Sequence, residues 1–293
     1  MKRLKAAALT LLVLALAGAG LFAAYPFQAS VTARKLTLRA GGARRVHAGG
    51  LAAWERDRCA PGAACRCVAL VHGMGDSALT WDNVILGRGA PPPPAGTRLL
   101  AVELPGTDGS PPSDYAVPAQ AAAVKTALAS RCPRWTVVGN SLGGWISAEL
   151  ALQWPEGVES LVLVNAVGLS DDTGLLLETA RILADPTVEK IKDFSGRAYF
   201  KTRAVPARAW AAVVASIKSR PTRETLAAFK LEHVLDRRAK GIKAPTVILW
   251  GSADRVVPAS MGERWVRLIP GARFVAIPEC GHLPQQECPA AVS

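Results

Sequence analysis

The residues best equipped for chemistry lie in one stretch, Thr136-Val137-Val138-Gly139-Asn140-Ser141-Leu142-Gly143-Gly144. A β-rich apolar run ends at Gly139 and a helical pattern begins at Leu142, which puts Ser141 on a sharp strand-to-helix turn. Gly139 and Gly143 flank it, as expected where a tight turn has no room for side chains. Such a turn lifts the hydroxyl into the open. The helix start adds a positive field and an unpaired N–H at Leu142. Gly-x-Ser-x-Gly alone carries little weight in a chain with 26 glycines, so it is the strand and helix context that makes Ser141 a candidate nucleophile.

A serine hydroxyl is a poor nucleophile at neutral pH and needs a base. The chain has four histidines, His47, His72, His233 and His282. His282 follows the last strand, in Glu279-Cys280-Gly281-His282-Leu283-Pro284, and it lies after the nucleophile in the chain. His72 ends an earlier strand, His47 lies near the N-terminal hairpin, and His233 belongs to a helical stretch. Asp254, in Gly251-Ser252-Ala253-Asp254-Arg255-Val256-Val257-Pro258, stands just past another strand end, where it would fix the tautomer of the base. An aspartate there also suits a turn cap. The chain order nucleophile, acid, base fits Ser141, Asp254 and His282 and sets aside Asp76, which precedes the nucleophile, while Asp171 and Asp172 are weaker candidates at the entrance to the helical cap. A developing oxyanion needs two N–H donors, which Leu142 and Met74 of the loop His72-Gly73-Met74-Gly75-Asp76 would supply. The glycine patterns lack a phosphate-binding or dinucleotide ending, and no His/Asp/Glu cluster has metal-ligand spacing. No cofactor is expected.

Five motifs in order make the sequence resemble the α/β-hydrolase superfamily, in its lidded serine esterase, lipase and carbon–carbon hydrolase branch. They are His72-Gly73-Met74-Gly75, Glu103-Leu104-Pro105-Gly106, Gly139 to Gly144, Gly251-x-x-Asp254-x-x-x-Pro258 and Gly281-His282-Leu283-Pro284. The resemblance runs from about Lys35 to Ser293. Serine at the turn sets the chain apart from the dehalogenases and epoxide hydrolases of that superfamily, which use aspartate. Two departures stand out. After Gly106 the second glycine comes one residue late, with Asp108 in its usual place. The helix that usually follows the histidine loop has little sequence left to form it, and a Cys280–Cys288 pair is expected to compensate.

The elements that would hold these residues follow from periodicity. Short continuous apolar runs, expected for strands buried on both faces, lie at Val68–Val71, Leu99–Glu103, Trp135–Val138, Leu161–Val164, Thr246–Trp250 and Arg273–Ile277. A hairpin of Lys35–Arg39 with Leu51–Arg56 is expected at the antiparallel edge. Helical patterns occupy Pro118–Ser130, Leu142–Trp154 and Met261–Leu268. Strands alternating with helices predict an α/β fold, a mostly parallel doubly wound sheet. Between Ser170 and Lys240 only helical patterns occur, at Gly174–Ala184, Pro206–Lys218 and Arg223–Leu235. We therefore expect a hydrolase core over 31–169 and 241–293, a helical cap over 170–240, and a leader over 1–30.

Lys2, Arg3 and Lys5 precede an apolar stretch from Ala6 to about Phe27. This reads as a signal peptide or membrane anchor. Its length favours an uncleaved N-terminal apolar helix, although Ala17-Gly18-Ala19 offers a small-residue cleavage site within it. Export to the periplasm or outside the cell follows. Six cysteines agree, with Cys59 expected to pair with Cys65 or Cys67, Cys280 with Cys288, and Cys132 left open as a buried thiol. The net charge of +12 is scattered and interleaved with no aromatics, so no nucleic-acid partner is expected, whereas a membrane through the N-terminal segment is. The expected activity is hydrolysis of a small apolar carboxylic ester. Its rivals are carbon–carbon hydrolysis of the meta-cleavage type, which Asn140 favours and Leu283 after the histidine does not, and a catalytically silent, membrane-tethered binding module.

Overall fold

The computed structural model of the 293-residue chain describes residues 25–170, 174–202 and 204–293. The expected leader helix falls almost wholly in residues 1–24, outside the described residues. Among those that are described, no helix is long and apolar enough to cross a membrane.

The elements run α1 (Pro26–Ala40), β1 (Arg44–Ala48), β2 (Leu51–Asp57), β3 (Arg66–Val71), α2 (Asp82–Leu86), β4 (Thr97–Val102), α3 (Val117–Ala129), β5 (Trp135–Asn140), α4 (Leu142–Gln153) and β6 (Val158–Val164). Four helices follow, α5 (Leu175–Ala184), α6 (Val188–Ala198), α7 (Ala209–Ile217) and α8 (Arg220–Ala227). The chain then returns through β7 (Thr246–Gly251), α9 (Ala259–Leu268), β8 (Arg273–Ile277) and the short α10 (Pro284–Glu287). The eight strands form one sheet in the order β1-β2-β4-β3-β5-β6-β7-β8. The β1–β2 and β2–β4 pairs are antiparallel and the rest are parallel. All six apolar runs read from the sequence are strands. The five inner ones are largely apolar because both faces of the sheet are covered there: Trp135, Ile146, Leu150 and Trp250 pack on one side, Trp54, Leu70, Trp81 and Ile85 on the other, whereas edge strand β8 is mostly exposed.

The edge departs from expectation. Lys35–Arg39 is helical, within α1, and the strand that pairs with β2 is Arg44–Ala48. Lys-Leu-Thr-Leu-Arg alternates with a strand's period, but Leu38 is buried alone while Arg34, one turn back, forks its guanidinium onto Asp82 at 2.9 and 3.0 Å. The true hairpin turns at Gly49-Gly50, with Ala48 opposite Leu51. In the helical insertion, the patterns expected at Gly174–Ala184 and Pro206–Lys218 correspond to α5 and α7. Arg223–Leu235 is only partly helical, as α8 and a 3-10 turn over Leu231–His233. Helix α6 was not anticipated.

Three disulfides join Cys59 to Cys65, Cys67 to Cys132 and Cys280 to Cys288. Cys132 is therefore a bonded cysteine and not a free buried thiol. The Cys67–Cys132 bridge pins the start of β3 to the approach of β5 across a sequence separation of 65. On the loop-entropy account, losing it by a double alanine substitution costs about 4 kcal/mol, against about 2 for the six-residue separation of Cys59–Cys65. Thermal melts of the two double variants should show that order, and the reverse order would refute it.

Candidate active site

β5 ends at Asn140 and α4 begins at Leu142, so Ser141 alone turns the chain between them. It does so at φ 55° and ψ −120°, a backbone conformation that holds a non-glycine residue at about 1–3 kcal/mol of strain. The Ser141 N–H donates to the Val164 carbonyl of β6 at 3.0 Å. The turn closes around absent side chains. A Cβ on Gly139 would lie 2.2 Å from the Gly143 carbonyl oxygen, and one on Gly143 would lie 2.3 Å from that of Val71. This close packing sets the start of α4 against the end of β3, with the Leu142 N–H at the first helical position, where no intrahelical acceptor exists.

The loop after β3 lies directly against this turn: a Cβ on Gly73 would be 3.3 Å from that of Ser141. His72 braces the loop from within the core, at 1% exposure. The Leu104 N–H donates to its Nε2 at 3.1 Å, so the ring proton sits on Nδ1 and is donated to the Gly73 carbonyl at 2.8 Å. Both nitrogens are thus committed, which leaves this ring no part as a base. Beneath it, buried Glu103 accepts from the Ala78 N–H and the Arg45 guanidinium, each at 3.1 Å. Burial raises the Glu103 carboxyl above its ordinary pKa, opposed by the Ala78 N–H and Arg45. Met74 follows on the loop, and its side chain packs against Ile182, Ile191 and Ile217 of the helical insertion or their neighbours.

Asp254 and His282 meet across the ends of β7 and β8, with Nδ1 of the ring 2.8 Å from the carboxylate Oδ2. The Asp254 side chain has no exposed surface and that of His282 is 7% exposed. Three further donors fix the carboxylate: Asn165 Nδ2 reaches Oδ2 at 2.6 Å, and the Val256 and Val257 N–H groups reach Oδ1 at 2.8 and 3.0 Å. Asp254 is thus both the partner of the histidine and the cap of its own turn. Held from the Nδ1 side, the imidazole keeps Nε2 clear for proton transfer. Fully buried Asn140 ties this loop to the Ser141 strand. Its Nδ2 donates to the His282 carbonyl at 3.0 Å and to the Val164 carbonyl at 3.1 Å, while its Oδ1 accepts from Gln285 Nε2 at 3.1 Å. The Ser141 hydroxyl makes no hydrogen bond to the His282 ring among the described residues; the two are connected through Asn140.

Residues 68–293 match the alpha/beta hydrolase family. The chain belongs to that family. Its relatives include a 2-hydroxy-6-oxononadienedioate/2-hydroxy-6-oxononatrienedioate hydrolase of Klebsiella pneumoniae subsp. pneumoniae, 30% identical over 239 residues that cover 75% of this chain and 82% of that one. Among solved structures, a membrane phospholipase A described as a bacterial virulence factor superposes with a TM-score of 0.76 at 25% identity, over 100% of this chain and 96% of the other. A 2-hydroxy-6-oxo-6-phenylhexa-2,4-dienoate hydrolase from a Rhodococcus strain shares the fold at a TM-score of 0.67 and 18% identity, over 85% and 95% of the two chains.

The α/β hydrolase thus brings Ser141, Leu142, Met74, Asp254 and His282 to the carboxyl ends of neighbouring strands, where open α/β sheets bind ligands. The remaining sequence candidates are placed differently. His47 is on edge strand β1, His233 lies in the 3-10 turn after α8, and Asp76 caps its own loop through the Ser77 N–H. Asp171 and Asp172 are outside the described residues. Two residues that bond into the site had no assigned structural role: Asn165 and Gln285. Buried amides at strand ends are the signal that could have found Asn165, because an unpaired amide there would be costly.

Proposed function

We propose that this chain is a serine hydrolase of the EC 3.1.1 type, cleaving carboxylic esters through an acyl-enzyme intermediate. In this reading Ser141 is the nucleophile, His282 the general base and Asp254 the orienting acid. What carries it is the Asp254–His282 hydrogen bond at 2.8 Å, on a loop that Asn140 ties to the strand leading into the strained turn of Ser141. Ser141 Oγ attacks the ester carbonyl carbon while its proton passes to His282 Nε2, and the Met74 and Leu142 N–H groups hold the oxyanion. The imidazolium then returns that proton to the departing alkoxide. Water, deprotonated by His282, attacks the acyl-enzyme and releases the acid and Ser141.

The substrate is an apolar ester, with 170–240 acting as a cap. This is supported by the insertion's inner cluster of Ile182, Leu183, Ile191 and Ile217, which meets Met74 beside the oxyanion position. The likeness to the membrane phospholipase A over 100% of the chain favours an ester too. The three disulfides point to an oxidising, exported location. In our reading the apolar N-terminal segment holds the enzyme at the membrane there.

Carbon–carbon hydrolysis of a ring-cleavage dienoate is the second reading, favoured by the Klebsiella relative. The full chain in detergent micelles, offered p-nitrophenyl acetate, butyrate, octanoate and laurate beside 2-hydroxy-6-oxo-6-phenylhexa-2,4-dienoate, separates the two. Ester turnover without dienoate cleavage is the expected result, and its chain-length profile sizes the pocket. Dienoate cleavage with inert esters would replace the first reading by the second.

A further inference from the structure

Glu287 closes α10, five residues beyond His282 and next to Cys288. Its carboxylate accepts three backbone N–H groups from two distant parts of the chain. Oε2 takes the Gly281 N–H at 2.8 Å and the Phe200 N–H at 3.1 Å, and Oε1 takes the Lys201 N–H at 3.1 Å. Gly281 immediately precedes His282. Phe200 and Lys201 follow α6 in the helical insertion. A fourth bond runs between the same two segments, from the His282 N–H to the Ala198 carbonyl at 2.7 Å.

The approach is close enough to dictate a residue type. A Cβ on Gly281 would meet the Ala198 carbonyl oxygen at 2.4 Å, Glu287 Oε2 at 2.7 Å and the Phe200 nitrogen at 2.9 Å. The loop of Asp254 grips the preceding stretch in the same way. The Arg255 N–H donates to the Arg197 carbonyl at 3.3 Å, and its guanidinium to the Gly196 carbonyl. The insertion therefore rests on both loops that supply the Asp254–His282 pair, and among the described residues Glu287 bonds both sides of the His282 contact through its side chain. The Cys280–Cys288 bridge encloses the whole span from Gly281 to Glu287, so the carboxylate is presented from a short cross-linked loop.

We propose that Glu287 is a positioning residue: it clasps residues 198–201 of the insertion to the Gly281–His282 backbone and so sets the register of the insertion over the imidazole. This rests on the reading of His282 as general base. A carboxylate taking three N–H donors has no neutral substitute of the same reach, because an amide offers one acceptor oxygen and turns two N–H donors on the remaining partner.

The test uses the full chain with Glu287→Gln and Glu287→Ala, each compared with wild type at a temperature where circular dichroism shows it folded. Active sites are counted by fluorophosphonate labelling to completion, so that kcat is expressed per labelled site. Displacing a base by about an ångström costs on the order of 100-fold in rate, so Glu287→Ala is expected to lose about that much in kcat on p-nitrophenyl butyrate and Glu287→Gln about tenfold. KM should move little. A purely structural role would lower the number of labelled sites and leave kcat per site at the wild-type value, which overturns the proposal. Hydrogen exchange adds a readout independent of the reaction: the Phe200, Lys201 and Gly281 amides should be protected in wild type and exchange faster in Glu287→Gln. Unchanged exchange at these amides overturns the clasp, whatever the activity. A wild type that neither turns over the ester nor takes the label contradicts the ester reading instead, and the same kcat comparison is then made on the dienoate.

Discussion

Replacing Ser141 by alanine is expected to lower kcat on p-nitrophenyl butyrate by on the order of 10⁵- to 10⁶-fold, leaving the small residue that binding and the oxyanion donors supply. The fold should survive the change. The Ser141 N–H bond to the Val164 carbonyl is a backbone bond and is kept, and alanine is small enough for the space between Gly139 and Gly143. In the proposed mechanism the Oγ carries the acyl group, so labelling by a fluorophosphonate should disappear along with turnover. A mass shift on the folded alanine variant would locate the nucleophile elsewhere and end the assignment. So would a rate within tenfold of wild type.

Asp254→Asn should reduce kcat by on the order of 10³- to 10⁴-fold with little change in KM. The reason lies in the donors around the carboxylate. The Val256 and Val257 N–H groups fix Oδ1 as an acceptor, so the replacing amide must keep its carbonyl oxygen there and turn its NH2 toward Asn165 and His282. At that corner the carboxylate Oδ2 now accepts from Asn165 at 2.6 Å and from the ring at 2.8 Å. An NH2 in its place forces the imidazole to accept at Nδ1 and to carry its proton on Nε2, the tautomer that cannot take a proton from Ser141. Steady-state kinetics on purified, folded variant would check this. A loss smaller than tenfold would mean that another group orients the ring.

The sequence made the site legible where chemistry is local. Ser141 between glycines at a strand-to-helix junction, Asp254 beyond β7 and His282 beyond β8 each carry a motif within a few residues. The inner strands were equally plain, because a segment covered on both faces must be largely apolar. What stayed hidden are the polar groups that connect those loops. Asn140 reaches His282 and Gln285 across sequence separations of 142 and 145, Asn165 reaches Asp254 across 89, and Glu287 reaches Phe200 across 87. No periodicity encodes such pairs, since each depends on where the whole sheet sets two loop ends. The misread edge has a different cause. In Lys35–Arg39 the period of two competes with a helical face of Val31, Arg34 and Leu38, which lies mostly outside that stretch and whose polar partner is far along the chain. For Cys67, the nearer choice Cys59 loses because Cys65 bonds it, and the partner lies beyond α2, β4 and α3.

The disulfide pattern also bears on how the protein is made. Each cysteine bonds the next one along the chain, Cys59 to Cys65, Cys67 to Cys132 and Cys280 to Cys288, so no bridge straddles another. Of the 15 ways to pair six thiols, this is the one obtained by joining them two at a time in their order along the chain. Both cysteines of each bridge precede the first cysteine of the next. An oxidant meeting the thiols in that order would reach the native set directly, with no wrong bridge to be undone by thiol–disulfide exchange.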